Sequence, residues 1–339
     1  MIRLRDFVRV EDCYFSAVGY EHSDGVKCLL RYVPSDDGDR IDRWGKRYRK
    51  LSHGEALKYH RFREFQKDGI FVIPHSKIDE IYKPDEMLAE VCKRDEVVAK
   101  VADFFRLPKM GVTGSRLIGL NEDDSDVDFV VYGRKNFELG RKKIAKGLGS
   151  GKLKPPDLIR IYKRRKVTLP FDIFRVHEER KLNKAMLDGI HFDLLFVRND
   201  ESTPIPEKKG KKLGIATVIA KVVDSSYAFD YPASYFVDHP KIKAVLSFTH
   251  TFVGQAFDGE TIEARGVVEE IEGERYLIVG TLRETQREYI VSRTLLNRFN
   301  LEDEFKRWKA KAFKCSSDPS SINLKSEGDP KYGGITVGR

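Results

Sequence analysis

Two aspartates two positions apart, Asp126 and Asp128, stand at the head of an apolar, β-branched run that ends at Tyr132. A run of this length and composition reads as a buried strand, Val127–Tyr132. Side chains two apart on a strand point the same way. Both carboxylates therefore project together, while Val127 faces the other side. Two anions side by side repel each other unless a cation sits between them. Oxygen ligands of this kind suit Mg²⁺ or Mn²⁺, which keep several waters and bind through few carboxylates.

The residues upstream add a second element. A short run, Met110–Thr113, leads into Gly114-Ser115, which the pattern predicts to open a helix. A glycine there lets backbone N–H groups converge on a phosphate, and the Ser115 hydroxyl adds a donor. Arg116 offers a charge-assisted contact. A third carboxylate, Asp193, lies within the apolar run Ile190–Val197. A lone buried carboxylate costs several kcal/mol unless it is paired or metal-bound. If this strand lies beside Val127–Tyr132, all three acids meet at one end of a sheet. Two metals held by three aspartates is an arrangement suited to in-line phosphoryl transfer.

Gly114-Ser115-Arg116 with Gly119, then Ser125-Asp126-Val127-Asp128, then a lone Asp193 in an apolar strand, resembles the DNA polymerase beta-like nucleotidyltransferase superfamily. The match lies within about residues 95–200. The chain as a whole also resembles uncharacterised archaeal predicted nucleotidyltransferases. The resemblance implies that Asp126, Asp128 and Asp193 are catalytic, the first two binding both of two Mg²⁺ (or Mn²⁺) ions and the third binding the catalytic one. It implies a nucleoside triphosphate substrate held by Gly114, Ser115 and Arg116, transfer of a nucleoside monophosphate to a hydroxyl, and release of pyrophosphate.

Charge bears on the acceptor. The formal net charge is +9 and the pI about 9.1. Between Arg134 and Lys184 there are 17 Lys/Arg against 5 Asp/Glu, a net +12 that exceeds the charge of the whole chain. Such an excess favours an anionic partner, most commonly nucleic acid, RNA or DNA. Lys163-Arg164-Arg165-Lys166 lies between the second and third carboxylates and is a candidate contact for a phosphate backbone. A further basic stretch, Arg40 to Lys50, surrounds Trp44 and Tyr48; it reads as a single-strand contact or as a solvated loop. Two rival readings are an acceptor that is a protein or small molecule, and a catalytically silent nucleic-acid-binding protein. Three anions beside a polyanionic ligand argue against silence, because binding alone does not require them.

The expected fold class is α/β (α+β): a mixed nucleotidyltransferase-type sheet with helices, flanked by an N-terminal α+β unit and a C-terminal β-barrel-like domain. The expected boundaries are 1–85 for the α+β unit, 86–205 for the central domain, 206–300 for the strand-rich domain, and 301–339 for a helix and flexible tail. In the first part, Asp24-Gly25 between two apolar runs predicts a hairpin, and Ser52–Phe65 reads as a helix. In the second, Asp95–Phe105, Phe137–Lys146 and Arg175–Met186 read as helices, Leu158–Lys166 as a further basic element, and Val167–Phe174 as extended. In the third, Ala244–Ala256, Thr261–Ile271 and Tyr276–Leu282 read as strands. No apolar run approaches the roughly 20 residues of a membrane span, and the charged N-terminus does not read as a signal peptide. The four cysteines, Cys13, Cys28, Cys92 and Cys315, form no C-x-x-C pair. They read as scattered thiols of a cytoplasmic protein.

Overall fold

A computed structural model describes residues 1–199, 205–280 and 287–313. The expected tail beyond residue 313, with Cys315, lies outside the described residues, as does the end of the run expected over Tyr276–Leu282. Three sheets organise the chain. The first is an eight-stranded antiparallel sheet built from residues 7–82. The Asp24-Gly25 turn joins strands Cys13–Ala17 and Val26–Pro34, with Ala17 opposite Cys28. The helix expected over Ser52–Phe65 is shorter than the pattern implies. A Ser52/Glu55 capping box starts a helix at His53–Leu57, and a 3₁₀ turn over His60–Phe65 follows, broken at Phe62. The break lets the buried Phe62 ring meet Phe15 edge-on, with centroids 5.1 Å apart.

The second sheet has four strands, in the spatial order Lys184–Leu187, Ile190–Val197, Val127–Tyr132 and Met110–Thr113. The two middle strands run parallel and the outer ones antiparallel to their neighbours. Alternation sorts the faces. Val112, Val127, Phe129, Val131, Ala185, Phe192 and Leu194 point into a core shared with Val98, Val101 and Phe105 of helix Glu96–Phe105 and with Phe137 and Ile144 of helix Arg134–Gly149. The opposite face carries the aspartates at one end. Towards the other end it is covered by Leu4, Tyr20 and Tyr231 over Val130, Tyr132 and Val197. Helix Pro84–Arg94 lies directly on Gly111, where a Cβ would stand 2.2 Å from the Pro84 carbonyl carbon.

The stretch Arg175–Met186 is not one helix. The helix is Phe171–Glu179, so the region expected to be extended after Val167 is in part helical, and Lys184–Leu187 is a strand. Leu182 adopts a left-handed conformation (φ 51°), which reverses the chain between the two. Asp188-Gly189, both at positive φ, then closes a two-residue hairpin onto Ile190–Val197. The basic element after Asp157 is a helix, Leu158–Arg165, capped by the Asp157 side chain.

The third sheet closes on itself. Strand Lys211–Asp224 pairs with both Ala233–Asp238 and Thr261–Ile271. Ala244–Ser247 bridges Ala233–Asp238 to Glu274–Val279, which returns to Thr261–Ile271. These five strands form a ring with one parallel pair, Ala244–Ser247 with Glu274–Val279, the connectivity of an OB-type barrel. Closure leaves few free sheet edges. Tyr289–Ser292 pairs with the first half of Thr261–Ile271, and its Tyr289, Ile290 and Val291 join the barrel core. The strand expected over Ala244–Ala256 ends at Ser247, where the chain turns to bury Phe252 in the barrel core. Helix Glu302–Ala312 sets Phe305 and Trp308 edge-on against Tyr289. Among the described residues, Cys13, Cys28 and Cys92 are free, and no helix is long and apolar enough to cross a membrane.

Gly111→Ala should destabilise the protein by about 1–3 kcal/mol, because a methyl group must be forced between a strand and a helix backbone. The urea midpoint should fall with an unchanged slope. A midpoint equal to the wild type would mean that the helix can shift freely off the strand.

Candidate active site

Register brings the sequence-predicted acids together. Asp128 lies directly opposite Asp193 on the parallel neighbour, Thr113 opposite Asp128 on the other side, and Lys184 opposite Asp193. Thr113, Asp128, Asp193 and Lys184 therefore form one row across the sheet, all on the face away from the central core. Burial and the neighbouring Asp193 and Asp126 charges push the Asp128 carboxyl up to about 6, against the opposing pull of Arg5 and Arg164.

Asp126 precedes the strand and leans towards helix Leu158–Arg165. Arg164 donates to its Oδ2, and Arg160 lies 3.3 Å from its Oδ1. That Oδ1 atom is buried without a hydrogen bond. Among the described residues, no group of three His, Cys, Asp or Glu side chains is gathered at metal-binding spacing. The donor set nevertheless fits a hard divalent cation. Asp128 and Asp193 sit in adjacent register and repel each other, and Asp126 keeps an oxygen with no donor.

The glycine loop adjoins this row. Gly114 has φ 73° and ψ −151°, a conformation open to glycine alone, and a Cβ there would meet Asp128 Oδ2 at 3.1 Å. It leads into a short helix, Ser115–Ile118, with the buried Tyr32 phenol beside the Ser115 hydroxyl. Leu117, Ile118 and Leu120 pack into an aromatic cluster of the first sheet, with Phe7, Tyr14, Tyr32, Tyr48 and Tyr82.

Arg116 does not face the acids. Its guanidinium is buried, with Nη1 on Asp95 Oδ2 at 2.6 Å and Nη2 on the Ser125 carbonyl at 2.7 Å. It ties the start of helix Glu96–Phe105 to the loop that delivers Asp126.

The tetrad Lys163–Lys166 divides. Arg164 reaches Asp126, and Arg165 turns inward to within 3.5 Å of the buried Glu178. Lys163 and Lys166 are exposed. The structure also draws in cations that sequence reasoning did not single out. The N-terminal segment brings Arg5 close enough to act on Asp128, and its carbonyl accepts from Thr113 Oγ1 at 2.8 Å. Lys50, opposite Tyr32 in the first sheet, feels the Asp128 charge. Lys50 was visible in the sequence only as part of a basic stretch. Lys184 was visible in the same way, as the end of the basic excess over residues 134–184, whereas Arg5 carried no signal.

The family described as a nucleotidyltransferase domain matches residues 94–183, a span that includes Gly114, Ser115, Asp126 and Asp128 and stops before Asp193. An uncharacterized protein of Methanocaldococcus jannaschii is 34% identical over 337 residues, covering 85% of this chain and 98% of that protein. No solved structure matches.

The raised Asp128 carboxyl sets a pH dependence. The folded protein holds this proton more tightly than the unfolded chain, so the associated stability is full below about pH 4 and is lost as pH rises through about 6. Asp128→Asn should therefore stabilise the metal-free protein at pH 8 by on the order of 1–3 kcal/mol, with the gain shrinking towards pH 4. Urea unfolding in a chelator at both pH values tests this. An equal gain at both would show that charge is not the cause.

Proposed function

The chain belongs to the nucleotidyltransferase domain family, and from that premise we propose that it moves a nucleoside monophosphate from a nucleoside triphosphate to a hydroxyl of RNA or DNA, releasing pyrophosphate. The observation that carries this reading is the register of Asp128 against Asp193 beside the Gly114 loop. Asp126, Asp128 and Asp193 are the residues that would hold Mg²⁺ or Mn²⁺. Bound there, the ions supply activation of the attacking hydroxyl and neutralisation of the triphosphate.

The chain's own groups do the rest. Gly114 gives phosphate oxygens access to the backbone, and Ser115 adds a hydroxyl donor. Lys50, close to Ser115 through Tyr32, supplies positive charge on the triphosphate side. Arg116 acts as a positioning residue, holding the Asp126 loop on helix Glu96–Phe105. Arg160 and Arg164 balance Asp126 and are placed to pass to a phosphate when that carboxylate is otherwise engaged. The exposed Lys163 and Lys166 are suited to a polyanionic strand, and the basic excess of residues 134–184 points the same way.

Incubation with each labelled triphosphate, Mg²⁺ or Mn²⁺, and pooled RNA, DNA and protein acceptors should label a nucleic acid. Asp126→Asn with Asp128→Asn should lower transfer by roughly a thousandfold or more, in a folded protein. Ser115→Ala should raise the KM for the triphosphate roughly 3–10-fold. Label on protein alone would move the acceptor assignment, and full turnover in the double variant would remove the carboxylate assignment. For the strand contact, Lys163→Ser with Lys166→Ser should flatten the salt dependence of RNA or DNA binding by about 1–2 in log–log slope. Fluorescence anisotropy over a salt series reads this directly, and an unchanged slope would show that these lysines touch no phosphate.

A further inference from the structure

The row of polar side chains has a second end. Beyond Asp193 stands Lys184, with its ammonium 3.8 Å from Asp193 Oδ2 and 3.5 Å from Glu178 Oε2. Lys181 donates to Glu178 and, at 2.9 Å, to the Thr251 carbonyl of the barrel. Arg165 reaches the same Glu178 and the His250 carbonyl. Lys181 and Lys184 are only 1% and 6% exposed. Arg165, Lys181 and Lys184, together with Arg5 and Asn183, line a cleft between the second sheet and the barrel.

The charges in this cleft do not balance once the acids are assigned. Arg5 faces Asp128, and three cations, Arg165, Lys181 and Lys184, share Glu178 and Asp193, with Asp230 a further acid of the cleft wall. Asp230 is already bonded to Arg198 at 2.8 Å and to the Tyr20 hydroxyl. With Asp193 engaged in transfer, Glu178 alone remains. Enclosed cations in such excess are costly without an anion. In the same wall, the Asn183 Oδ1 atom is buried with no hydrogen-bond partner, an acceptor available to a hydroxyl.

The direction of in-line transfer says which anion. Attacking and leaving oxygens lie on opposite sides of the phosphorus. The Gly114–Ser115 loop follows Thr113 at one end of the row, and Lys184 stands at the other, three strand spacings or about 14 Å away. Pyrophosphate leaving towards Gly114 requires a hydroxyl arriving from Lys184. Next to the cleft, the exposed Phe248 ring meets Tyr231, which carries the Arg5 guanidinium 5.6 Å from its centroid. An exposed aromatic beside a phosphate site suits a base.

We infer that this cleft is the acceptor subsite, and that Arg165, Lys181 and Lys184 take a phosphate that the nucleotidic acceptor carries next to its attacking hydroxyl. The assignment rests on the nucleotidyl-transfer reading, but the phosphate site can be tested apart from it.

The whole protein, without metal, is titrated calorimetrically with inorganic phosphate. Lys184→Gln and Arg165→Gln should each weaken binding about tenfold, and Lys184→Arg should retain it. In transfer assays, Lys184→Gln should raise the KM of a terminally phosphorylated oligonucleotide about tenfold and leave that of the triphosphate within about twofold. Unchanged phosphate affinity in folded Lys184→Gln and Arg165→Gln would overturn the site. A triphosphate KM that rises as far as the acceptor's would assign these cations to the triphosphate and overturn the acceptor role. Phosphate binding lost in the variants, with no transfer to any acceptor, would uphold the anion site and count against nucleotidyl transfer alone.

Discussion

The close approach of two carboxylates, Asp128 and Asp193, on neighbouring parallel strands is the constraint to which the rest of the molecule answers. Burial and like charges in register together oppose folding here, and both push the Asp128 carboxyl upward. Each neighbour reduces that opposition without filling the space between them. Gly114 withholds a side chain, Arg5 and Lys184 bring positive charge from two different elements, and Arg160 and Arg164 draw the third acid aside. An apolar replacement of the pair would fold more easily, and in the proposed reading this is where stability is given up for chemistry.

The flanking sheets are part of this support. The aromatic face of the first sheet grips Leu117 and Ile118, so the glycine loop is fixed from outside its own domain. The barrel reaches back through helix Phe171–Glu179. There the buried His177 accepts from the Ser292 N–H at 3.0 Å and pairs with the Ile173 carbonyl. Burial holds its pKa down to about 3, so the ring is neutral and the contact persists across ordinary pH. Helix and barrel are thereby locked, and Glu178 on the same helix stays within reach of Arg165, Lys181 and Lys184.

Much of the central sheet was legible because its determinants are local. Val127–Tyr132, Met110–Thr113 and Ile190–Val197 are marked by apolar β-branched runs with turn residues at their ends, and they appear where the pattern puts them. Thr261–Ile271 was legible for the same reason. Lys184–Leu187 was not, because four residues after a helix take their conformation from a hairpin partner rather than from their own composition. Lys211–Asp224 was missed because ring closure pairs it with Thr261–Ile271, far along the chain. In the site, residue identity located the three aspartates and Gly114-Ser115. It could not tell that Arg116 would spend its guanidinium on Asp95 and Ser125, since an arginine's partner depends on which helix passes beside it. Arg165 and Arg164, adjacent in sequence, diverge because one helical step turns a side chain by about 100°.

The cleft beside Asp193 is lined by residues from Arg5 through to Val253. Its walls are thus dispersed over most of the described polypeptide rather than encoded in one compact module. A ribosome making this chain would release the central sheet well before the barrel strands that complete the enclosure. A nascent chain would for that interval display paired acids and loose lysines without a formed cavity. In the proposed reading the acceptor side of the site is thus the last part to be completed, with the barrel wall.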